Sequence, residues 1–515
     1  MLLCKLMWTV DGPRSPTAAP KNRSHALVIG TGFGGLAAAI RLAARGYRVT
    51  VLERLDQPGG RARVHRQDGF SFDAGPTIIT LPRLFEELWA LCGKRMADDV
   101  DLRRMDPFYN VRFNDGSNFA YRGDRESTLA EIERFSPGES EGYDRFMKLS
   151  EEIYRIGFEQ LGDAPFNSIA DMLRVAPDLL RLQGYRSVHG LVARYFKDPR
   201  LRFIFSFHPL FIGGNPFQAS AVFAMISYLE KSFGVWSPIG GTAALVEGLV
   251  KLIEGQGTTI RYGAEVKQIL IENGVARGVE LTSGERFAAD VVVSNADAAF
   301  TYKTLVAPKW RRAWGDFRLK HSRYSMGLFV WYFGVDRRYE NIAHHTILLG
   351  PRYKEHLAEI FNKKVLSEDF SLYLHRPTAT DPSLAPPGCD TFYVLSPVPN
   401  LQGGQDWTKE AEPYRQRIAA WLEANILPDL TRHIVTSKVT TPDDFRDDLL
   451  SPHGAGFSLQ PLLAQSAWFR PHNRSEDIAN LYLVGAGTHP GAGVPAVLSS
   501  AKILDKVVPD ARVFA

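Results

Sequence analysis

The sequence predicts an α/β protein in which a doubly wound parallel sheet is assembled from separated stretches of the chain. Three observations predict this fold. A short apolar strand runs into a glycine-rich turn and an Ala/Leu-rich helix near residue 30, and a second strand, glycine loop and helix follow near residue 485. Strand-like segments between these units indicate further strands and crossovers of the same sheet. The rest of the chain predicts a second, mixed α+β region.

Length and composition limit what the chain can be. At 515 residues it exceeds what one hydrophobic core normally supports, so two or three structural units are expected. With 45% hydrophobic and 23% charged residues, the composition is that of an ordinary globular protein. The formal net charge of +4 lacks the concentrated excess of Lys and Arg found in nucleic-acid binders. Nucleic acid is therefore excluded as a partner.

Cysteine and hydropathy patterns favour a cytosolic chain that does not cross a membrane. The three cysteines are widely separated and odd in number, which excludes a disulfide framework and a CxxC metal site. Residues 1–24 lack the apolar run of a secretory signal and predict a disordered leader. The most apolar stretch, Leu201 to Tyr228, is interrupted by the sequence Gly213 to Pro216 and falls short of a spanning helix.

The first glycine-rich turn predicts a dinucleotide site. The predicted strand His25 to Ile29 leads into Gly30-Thr31-Gly32-Phe33-Gly34-Gly35, and a helix is predicted over Leu36 to Arg45. In such a turn the glycines permit the tight bend, the approach of backbone to a pyrophosphate and close helix–strand packing. The next strand, Tyr47 to Leu52, ends at Glu53, about 20 residues past the first glycine, where an acid binds ribose hydroxyls.

The residues that follow favour FAD over a nicotinamide dinucleotide. A plain nicotinamide site does not need the two runs that come next, Pro58-Gly59-Gly60-Arg61-Ala62-Arg63 and Phe72 to Thr77. The two glycines allow backbone to come close to a ligand, and the two arginines are cationic donors suited to phosphate. The alternative is a loop with solvated arginines.

The C-terminal segment predicts the other end of the same site. A compact strand, Leu481 to Val484, enters the loop Gly485 to Pro495 before a predicted helix over Ala496 to Val507. Amides at that helix start would stabilise negative charge on a reduced flavin ring. A discontinuous FAD domain follows, built from residues 25–105, 235–300 and 475–515, with residues 106–234 and 301–474 forming a substrate region in two parts.

The predicted cofactor-binding residues come from all three parts of this domain. They are Gly30, Gly32, Phe33, Gly34, Gly35, Glu53, Gly59, Gly60, Arg61, Arg63, Pro76, Thr77, Val266, Gly485, Gly487, Gly493 and Val494. No nucleophile elbow, HExxH motif or clustered metal ligands are found, which excludes hydrolases and metalloenzymes, and no metal is expected. The neighbours His344 and His345 would point in opposite directions in a strand and are interpreted as structural.

Seven runs of sequence carry a resemblance to a known family. They are VIGTGFGGLAAAIRL at 28–42, GGRA at 59–62, FDAGPTIIT at 72–80, SFHPLFIGGNPF at 206–217, VSNAD at 293–297, AQSAWFRPHNRS at 464–475 and LYLVGAGTHPGAGVP at 481–495. The chain resembles the bacterial and fungal type phytoene desaturases, within the amine-oxidase-like and glutathione-reductase-like flavoproteins. Two departures are Ala496, where glycine is expected, and the lack of an acid after the C-terminal glycines, which leaves the ribityl partner unidentified.

The resemblance implies an activity, partners and a location. The activity is stepwise dehydrogenation of phytoene to neurosporene, lycopene or both, with FAD accepting electrons and oxygen or a quinone reoxidising it. The partners are phytoene, partly desaturated carotenoids and a membrane lipid surface, contacted by a helical part of the substrate domain. The protein would be cytoplasmic and peripheral on the inner membrane. The number of desaturation steps, the electron acceptor and the oligomeric state stay open.

Several segments are candidates for substrate and membrane contact. Leu201 to Leu229 is either a tunnel element or an interdomain core helix pair. Asp171, Arg174 and His208 are candidate proton or cation-stabilising groups, with a structural, hydrogen-bonded role as the alternative. A segment near residue 310 combines basic and aromatic residues: Lys309, Arg311, Arg312, Arg318, Lys320 and Arg323 with Trp310, Trp314 and Phe317. This combination suits binding to an anionic lipid surface, and the alternative is a solvated helix face.

Other functions remain open at this point. The same flavin fold would serve carotenoid isomerisation, saturation, a later desaturation step or amine oxidation. The long apolar segments argue against the small pocket and aromatic cage of an amine oxidase. A non-catalytic prenyl-lipid escort protein of the same fold would not use flavin, whereas the intact Gly30, Glu53 and Gly59-Gly60-Arg61 elements favour cofactor binding.

Overall fold

A computed structural model of the chain describes residues 24–514. Its strands are β1 (His25–Ile29), β2 (Arg48–Leu52), β3 (Val64–Gln67), β4 (Phe70–Asp73), β5 (Ile79–Thr80), β6 (Leu102–Arg104), β7 (Tyr109–Phe113), β8 (Asn118–Tyr121), β9 (Val235–Pro238), β10 (Thr259–Arg261), β11 (Val266–Glu272), β12 (Val275–Leu281), β13 (Arg286–Ala288), β14 (Val291–Ser294), β15 (Gly327–Val335), β16 (His345–Leu349), β17 (Leu372–His375), β18 (Asp390–Val398), β19 (Ile434–Thr440) and β20 (Leu481–Leu483). Its α-helices are α1 (Phe33–Ala44), α2 (Arg83–Leu91), α3 (Arg125–Phe135), α4 (Ser140–Tyr154), α5 (Ile169–Arg181), α6 (Val188–Val192), α7 (Pro199–Ile204), α8 (Met225–Phe233), α9 (Thr242–Gly255), α10 (Ala298–Phe300), α11 (Asp316–His321), α12 (Tyr353–Ala358), α13 (Trp407–Asn425), α14 (Leu430–His433), α15 (Pro442–Asp447) and α16 (Val494–Val507).

A five-stranded parallel sheet joins distant parts of the chain. Its strand order is β10-β2-β1-β14-β20, and every neighbouring pair is parallel. The central strand β1 is buried on both faces, since Ala26 and Val28 pack on one side and Leu27 and Ile29 on the other. The carboxyl ends of strands from three separated segments therefore meet at one edge.

The two faces of the parallel sheet are covered differently. The apolar sides of α1, α2, α9 and α16 pack on one face. The other face is covered by the antiparallel strands β11, β12 and β13, through apolar side chains such as Val266, Ile269 and Val279. This arrangement differs from the predicted doubly wound sheet, in which helices cover both faces, because the segment that returns to β14 alternates with the period of a strand and not of a helix.

A seven-stranded mixed sheet forms the second region. Its order is β19-β15-β18-β17-β16-β7-β8, and only the pair β16 and β7 is parallel. Side chains of α13 pack on one face of this sheet, where Trp331 and Phe392 are fully buried. On its other face, helices α4, α6, α7 and α8 contribute to an aromatic-rich core. The site lies between this second face and the parallel sheet.

Helix starts differ from the sequence-based prediction at both glycine-rich turns. Helix α1 begins at Phe33 and α16 at Val494, each a few residues earlier than expected. Extended backbone at Gly32 precedes α1, so the later glycines of the turn lie inside the first helical turn. The predicted leader falls almost entirely outside the described residues, which begin at Ser24. Over residues 24–514, no helix combines the length and the apolar character needed to cross a membrane.

Candidate functional site

A cavity of about 540 Å³ lies between the two sheets. One part of its wall consists of glycine-rich loops at the carboxyl edge of the parallel sheet, and the other consists of apolar side chains of the second region. The site therefore has a polar part and an apolar part. Its size is within the range of cofactor and ligand sites in proteins.

Most of the predicted cofactor-binding residues line this cavity. They are Gly30, Gly32, Phe33, Gly34, Glu53, Gly59, Gly60, Arg61, Arg63, Pro76, Thr77, Val266, Gly485, Gly493 and Val494. Gly35 and Gly487 lie behind the wall instead. A Cβ at Gly35 would come within 2.0 Å of the Gly30 carbonyl oxygen, and one at Gly487 within 2.7 Å of the Ala298 nitrogen. Both glycines permit close backbone packing that shapes the loops.

Glu53 lies at the carboxyl end of β2, where the ribose partner is predicted. Its carboxylate accepts hydrogen bonds from the backbone nitrogens of Thr31 and Leu55, each at 2.8 Å. Only 6% of the residue is exposed, so the side chain is held at the cavity wall with little freedom. Ribose binding by Glu53 stays a prediction, and this fixed geometry supports it.

The two predicted phosphate-binding arginines are anchored at the cavity wall. Arg61 donates to the Gly456 carbonyl at 3.0 Å and to the Ser451 hydroxyl at 3.2 Å, and burial lowers the pKa of its guanidinium. Arg63 donates to the Asp448 carboxylate at 2.7 Å. The alternative of a loop with solvated arginines is therefore wrong.

Several buried polar atoms in the wall have no hydrogen-bond partner among the described residues. They are Oδ2 of Asp297, both ring nitrogens of His489 and Nε2 of His65. Burial lowers the pKa of His489 to about 3 and that of His65 to about 4, so both rings are neutral near pH 7. These donors and acceptors, together with the glycine cradle, fit a flavin dinucleotide, which carries polar atoms along its whole length.

Arg470 supports the C-terminal loop from behind. It is almost completely buried and donates to the carbonyl oxygens of Ala486 at 2.8 Å and Leu459 at 3.2 Å. Burial lowers the pKa of its guanidinium to about 10, so it remains cationic at neutral pH. A cation behind this loop favours negative charge on a group bound in front of it. Sequence reasoning did not assign Arg470 a role, although it lies in the quoted run at 464–475.

Asp73 links the cofactor loop to α9. It accepts a hydrogen bond from the Thr242 backbone nitrogen at 2.8 Å and is 8% exposed. Burial raises the pKa of its carboxyl to about 6, against the opposing effect of that hydrogen bond. The folded state therefore binds a proton at Asp73 more tightly than the unfolded chain does.

This shift predicts a pH-dependent effect of Asp73→Asn. Above pH 6 the wild-type carboxyl is ionised although it is buried, which destabilises the folded state. The free energy of unfolding of the variant is therefore expected to exceed that of wild type by up to about 3 kcal/mol. The difference should decrease as the pH falls from about 6 to about 4, where both side chains are neutral. Urea unfolding at pH 8 and pH 4 measures it, with the exposed Asp98→Asn as control. A variant less stable than wild type at pH 8 would contradict the prediction.

The apolar stretch Leu201 to Leu229 contributes much of the second part of the cavity wall. The side chains that line the cavity come from two short helical turns and from α8: Phe207, Leu210, Phe211, Ile212, Val222, Phe223, Met225, Ile226 and Leu229. Apolar residues from β15, β16 and β18 complete the wall. The structure therefore places this stretch along the cavity, as a tunnel element requires.

Helix α5 lies between the cavity and the protein surface. Met172, Val175 and Leu179 line the cavity, whereas Leu173 and Leu180 are 67% and 66% exposed. Helix α5 therefore carries both cavity-lining side chains and large exposed apolar side chains.

Asp171 and Arg174 have other tasks in the structure than the predicted chemistry. The Asp171 carboxylate accepts from the backbone nitrogen of Ser168 at 3.0 Å in a capping box at the start of α5, and Arg174 pairs with it at 3.3 Å. Neither residue lines the cavity, and the Arg174 side chain is 77% exposed. The structure therefore gives both residues a structural role at the start of α5, and a catalytic role for them stays a prediction.

His208 is buried behind the apolar wall. Its Nε2 donates to a carboxylate oxygen of Glu230 at 3.0 Å, and the other oxygen of Glu230 accepts from the Tyr109 hydroxyl at 2.6 Å. Glu230 lines the cavity, whereas His208 does not. Sequence reasoning missed Glu230, since a single glutamate within a helical pattern such as α8 is normally a solvent-exposed residue.

The predicted basic and aromatic surface is only partly a surface. Arg311 is 6% exposed and pairs with Asp316, and Trp314 is buried under the Arg318 guanidinium at 3.7 Å. These residues pack the region together. The members that remain exposed are Lys309, Arg312, Phe317, Lys320 and Arg323.

Three histidines meet in the seven-stranded sheet, contrary to the expectation that the sequence holds no cluster of possible metal ligands. His344, His345 and His375 each bring one ring nitrogen within 4.8 Å of the other two. His344 and His375 share a hydrogen bond of 3.1 Å between their Nε2 atoms, and His345 bonds the Tyr373 hydroxyl at 2.7 Å. The rings of His344 and His345 lie with their centroids 4.4 Å apart, so the prediction that they point in opposite directions is wrong, and their structural role stays a prediction.

Comparison with known proteins agrees with this geometry. The flavin containing amine oxidoreductase family matches residues 33–503. A phytoene desaturase (neurosporene-forming) of Cereibacter sphaeroides is 50% identical over 96% of this chain and 97% of its own. A phytoene desaturase (lycopene-forming) of Pantoea ananas is 49% identical over 92% and 97%. Cyclohexylamine oxidase from Brevibacterium oxydans shares the fold, with a TM-score of 0.61 at 15% identity over 95% of this chain and 100% of its own. The chain therefore belongs to the flavin-containing amine oxidoreductases and, among them, to the bacterial phytoene desaturases.

Proposed function

We propose that this protein catalyses the FAD-dependent, stepwise dehydrogenation of phytoene in carotenoid biosynthesis, with neurosporene, lycopene or both as products. The observation that carries the proposal is the single cavity with a glycine and arginine cradle in one part and an aromatic and aliphatic wall in the other. A polar dinucleotide suits the first part and a hydrocarbon the second. The products of the relatives from Cereibacter sphaeroides and Pantoea ananas support this assignment.

In this proposal the residues of the chain bind the cofactor and position the substrate. Bound FAD supplies the hydride acceptor. Glu53 would hold the ribose, Arg61 and Arg63 the phosphates, and the amides at the start of α16 the ring. The apolar wall excludes water and holds successive single bonds of the substrate near the cofactor. In this proposal, residues 25–105, 235–300 and 475–515 form the FAD domain, and residues 106–234 and 301–474 form the substrate region.

We further propose that the enzyme works as a peripheral protein on the cytoplasmic face of the inner membrane. Phytoene and its partly desaturated products reside in lipid, so the cavity needs access from the bilayer. Helix α5, with both cavity-lining side chains and exposed leucines, provides it. Oxygen or a membrane quinone would reoxidise the reduced cofactor between steps.

Incubation of the purified protein with FAD and phytoene-loaded vesicles tests the proposal. We expect coloured products with longer conjugated chains, under air or under nitrogen with an added quinone. An unchanged number of double bonds with altered geometry would indicate an isomerase, and fewer double bonds a saturase. Protein that binds phytoene but no FAD would indicate an escort protein. Any of these three outcomes would overturn the proposal.

A further inference from the structure

A hydrogen-bonded trio of Glu230, Tyr109 and His208 stands at the apolar wall of the cavity. Tyr109 donates to one carboxylate oxygen of Glu230 at 2.6 Å, and His208 donates to the other at 3.0 Å. Glu230 is 1% exposed, Tyr109 is fully buried and His208 is 2% exposed. Each carboxylate oxygen therefore has one partner within the protein and keeps further lone pairs.

The position of Glu230 is unusual for a carboxylate. Its neighbours in the wall are Ile226 and Leu229 from the same helix and Phe207 and Phe211 from the preceding segment. Burying an acid among such side chains costs free energy unless it is hydrogen-bonded, and an apolar residue of similar size would fill the same space. A polar group kept in a wall that otherwise suits a hydrocarbon points to a chemical task.

The trio is connected to the cofactor part of the site through two aromatic rings. The Tyr109 ring packs against Phe211 at 5.7 Å, and Phe211 packs against Tyr373 at 6.1 Å. The Tyr373 hydroxyl bonds the hydroxyl of Thr77 at 2.8 Å, and Thr77 belongs to the predicted cofactor loop. Glu230 and Thr77 thus line the same cavity, and Phe211 and Tyr373 lie in the wall between them.

Dehydrogenation of a hydrocarbon releases a hydride and a proton, and the proton needs an acceptor. We propose that Glu230 is that acceptor, an inference that rests on the proposed phytoene desaturation. Bound FAD would accept the hydrogen of one C–H bond together with its electron pair. The neighbouring C–H bond gives its proton to the Glu230 carboxylate, and the electron pair left behind forms the new double bond. When the product leaves and water enters the cavity, the protonated Glu230 releases its proton to that water before the next step.

Tyr109 and His208 act as positioning residues in this scheme. Hydrogen bonds to a carboxylate favour its charged form, so both keep Glu230 ready to accept a proton. Burial and the nearby Glu230 raise the pKa of Tyr109 well above its usual value, so its hydroxyl remains a donor. The titratable groups that face Glu230 are Tyr109 and Tyr121 from the neighbouring strands and His208 from the segment before α8.

The first test is Glu230→Gln, which keeps the size of the side chain and one oxygen that accepts from Tyr109, while its NH2 group donates to His208 in the tautomer with an unprotonated Nε2. We expect flavin content and melting temperature close to wild type, but at least about 100-fold slower reduction of the flavin by phytoene under nitrogen. Glu151→Gln is the matched control, since Glu151 also accepts from a tyrosine, Tyr228 at 3.0 Å, but lies on the surface. Flavin reduction by the Glu230 variant within about threefold of wild type would overturn the proposal.

A second variant serves if Glu230→Gln does not fold. Tyr109→Phe keeps the carboxylate and removes one hydrogen bond to it, so the pKa that governs flavin reduction should rise and the pH profile should move to higher pH. An unmoved profile would overturn the proposal, because a purely structural trio would alter stability but not this profile. Wild-type enzyme whose flavin phytoene fails to reduce would instead overturn the proposed function.

Discussion

Protein carrying Gly35→Ala is expected to purify without flavin. The added Cβ would come within 2.0 Å of the Gly30 carbonyl oxygen. No side-chain rotation can relieve this clash, because the backbone fixes the positions of both atoms. Strand β1 and helix α1 would have to move apart, and the turn between them would lose the shape that receives a pyrophosphate. The absorbance of bound flavin per protein and the melting temperature measure the effect, and we expect less than a tenth of the wild-type flavin content.

Gly255→Ala is the matched control for this prediction. It adds the same methyl group to a helix of the same domain, where the nearest heavy atom is Lys94 Nζ at 3.7 Å. This control should retain full flavin content. If Gly35→Ala also retained it, the tight packing behind the turn would not be needed for cofactor binding.

The cofactor part of the site could be predicted from the sequence because its signals are local. A turn that needs glycine at Gly30, an acid at the end of the next strand and a glycine loop before a helix each follow from a few neighbouring residues. The cover of the second sheet face was harder to predict, because the pattern of β11 identifies a strand but does not show which sheet the strand joins.

The chemistry in the apolar part depends on contacts between distant segments, which no local pattern reveals. Glu230 meets Tyr109 across more than a hundred residues of chain, and His375 reaches His344 only through strand pairing. At Asp171 the structure adds a role that the sequence analysis did not consider, since this acid caps the start of α5 and Arg174 pairs with it. His208 was a candidate from the sequence, but the role we propose for it depends on its hydrogen bond to Glu230, which the sequence does not reveal.

Replacing the exposed leucines of α5 is expected to weaken attachment to the membrane and thereby access of the substrate to the cavity. Leu173 and Leu180 are largely exposed and do not line the cavity, whereas their neighbours Met172 and Leu179 do. Burying a leucine side chain in an apolar environment contributes about 1.5–3 kcal/mol, so the pair would contribute about 3–6 kcal/mol to attachment at a bilayer. The double variant Leu173→Asp, Leu180→Asp is therefore expected to bind vesicles at least about 100-fold more weakly.

Three measurements together separate membrane attachment from damage to the site. Co-sedimentation with vesicles gives binding, flavin absorbance gives the integrity of the cofactor site, and product formation from phytoene-loaded vesicles gives substrate access. Flavin content should be unchanged while binding and product formation fall together. Val435→Asp with Val513→Asp is the matched control, since it also replaces two exposed aliphatic residues, 52% and 68% exposed, with acids elsewhere on the surface. If the double leucine variant bound vesicles as wild type does, α5 would only close the cavity. The exposed basic residues around Phe317 would then be the better candidate for the membrane surface, because attachment would depend on charge and not on buried apolar area.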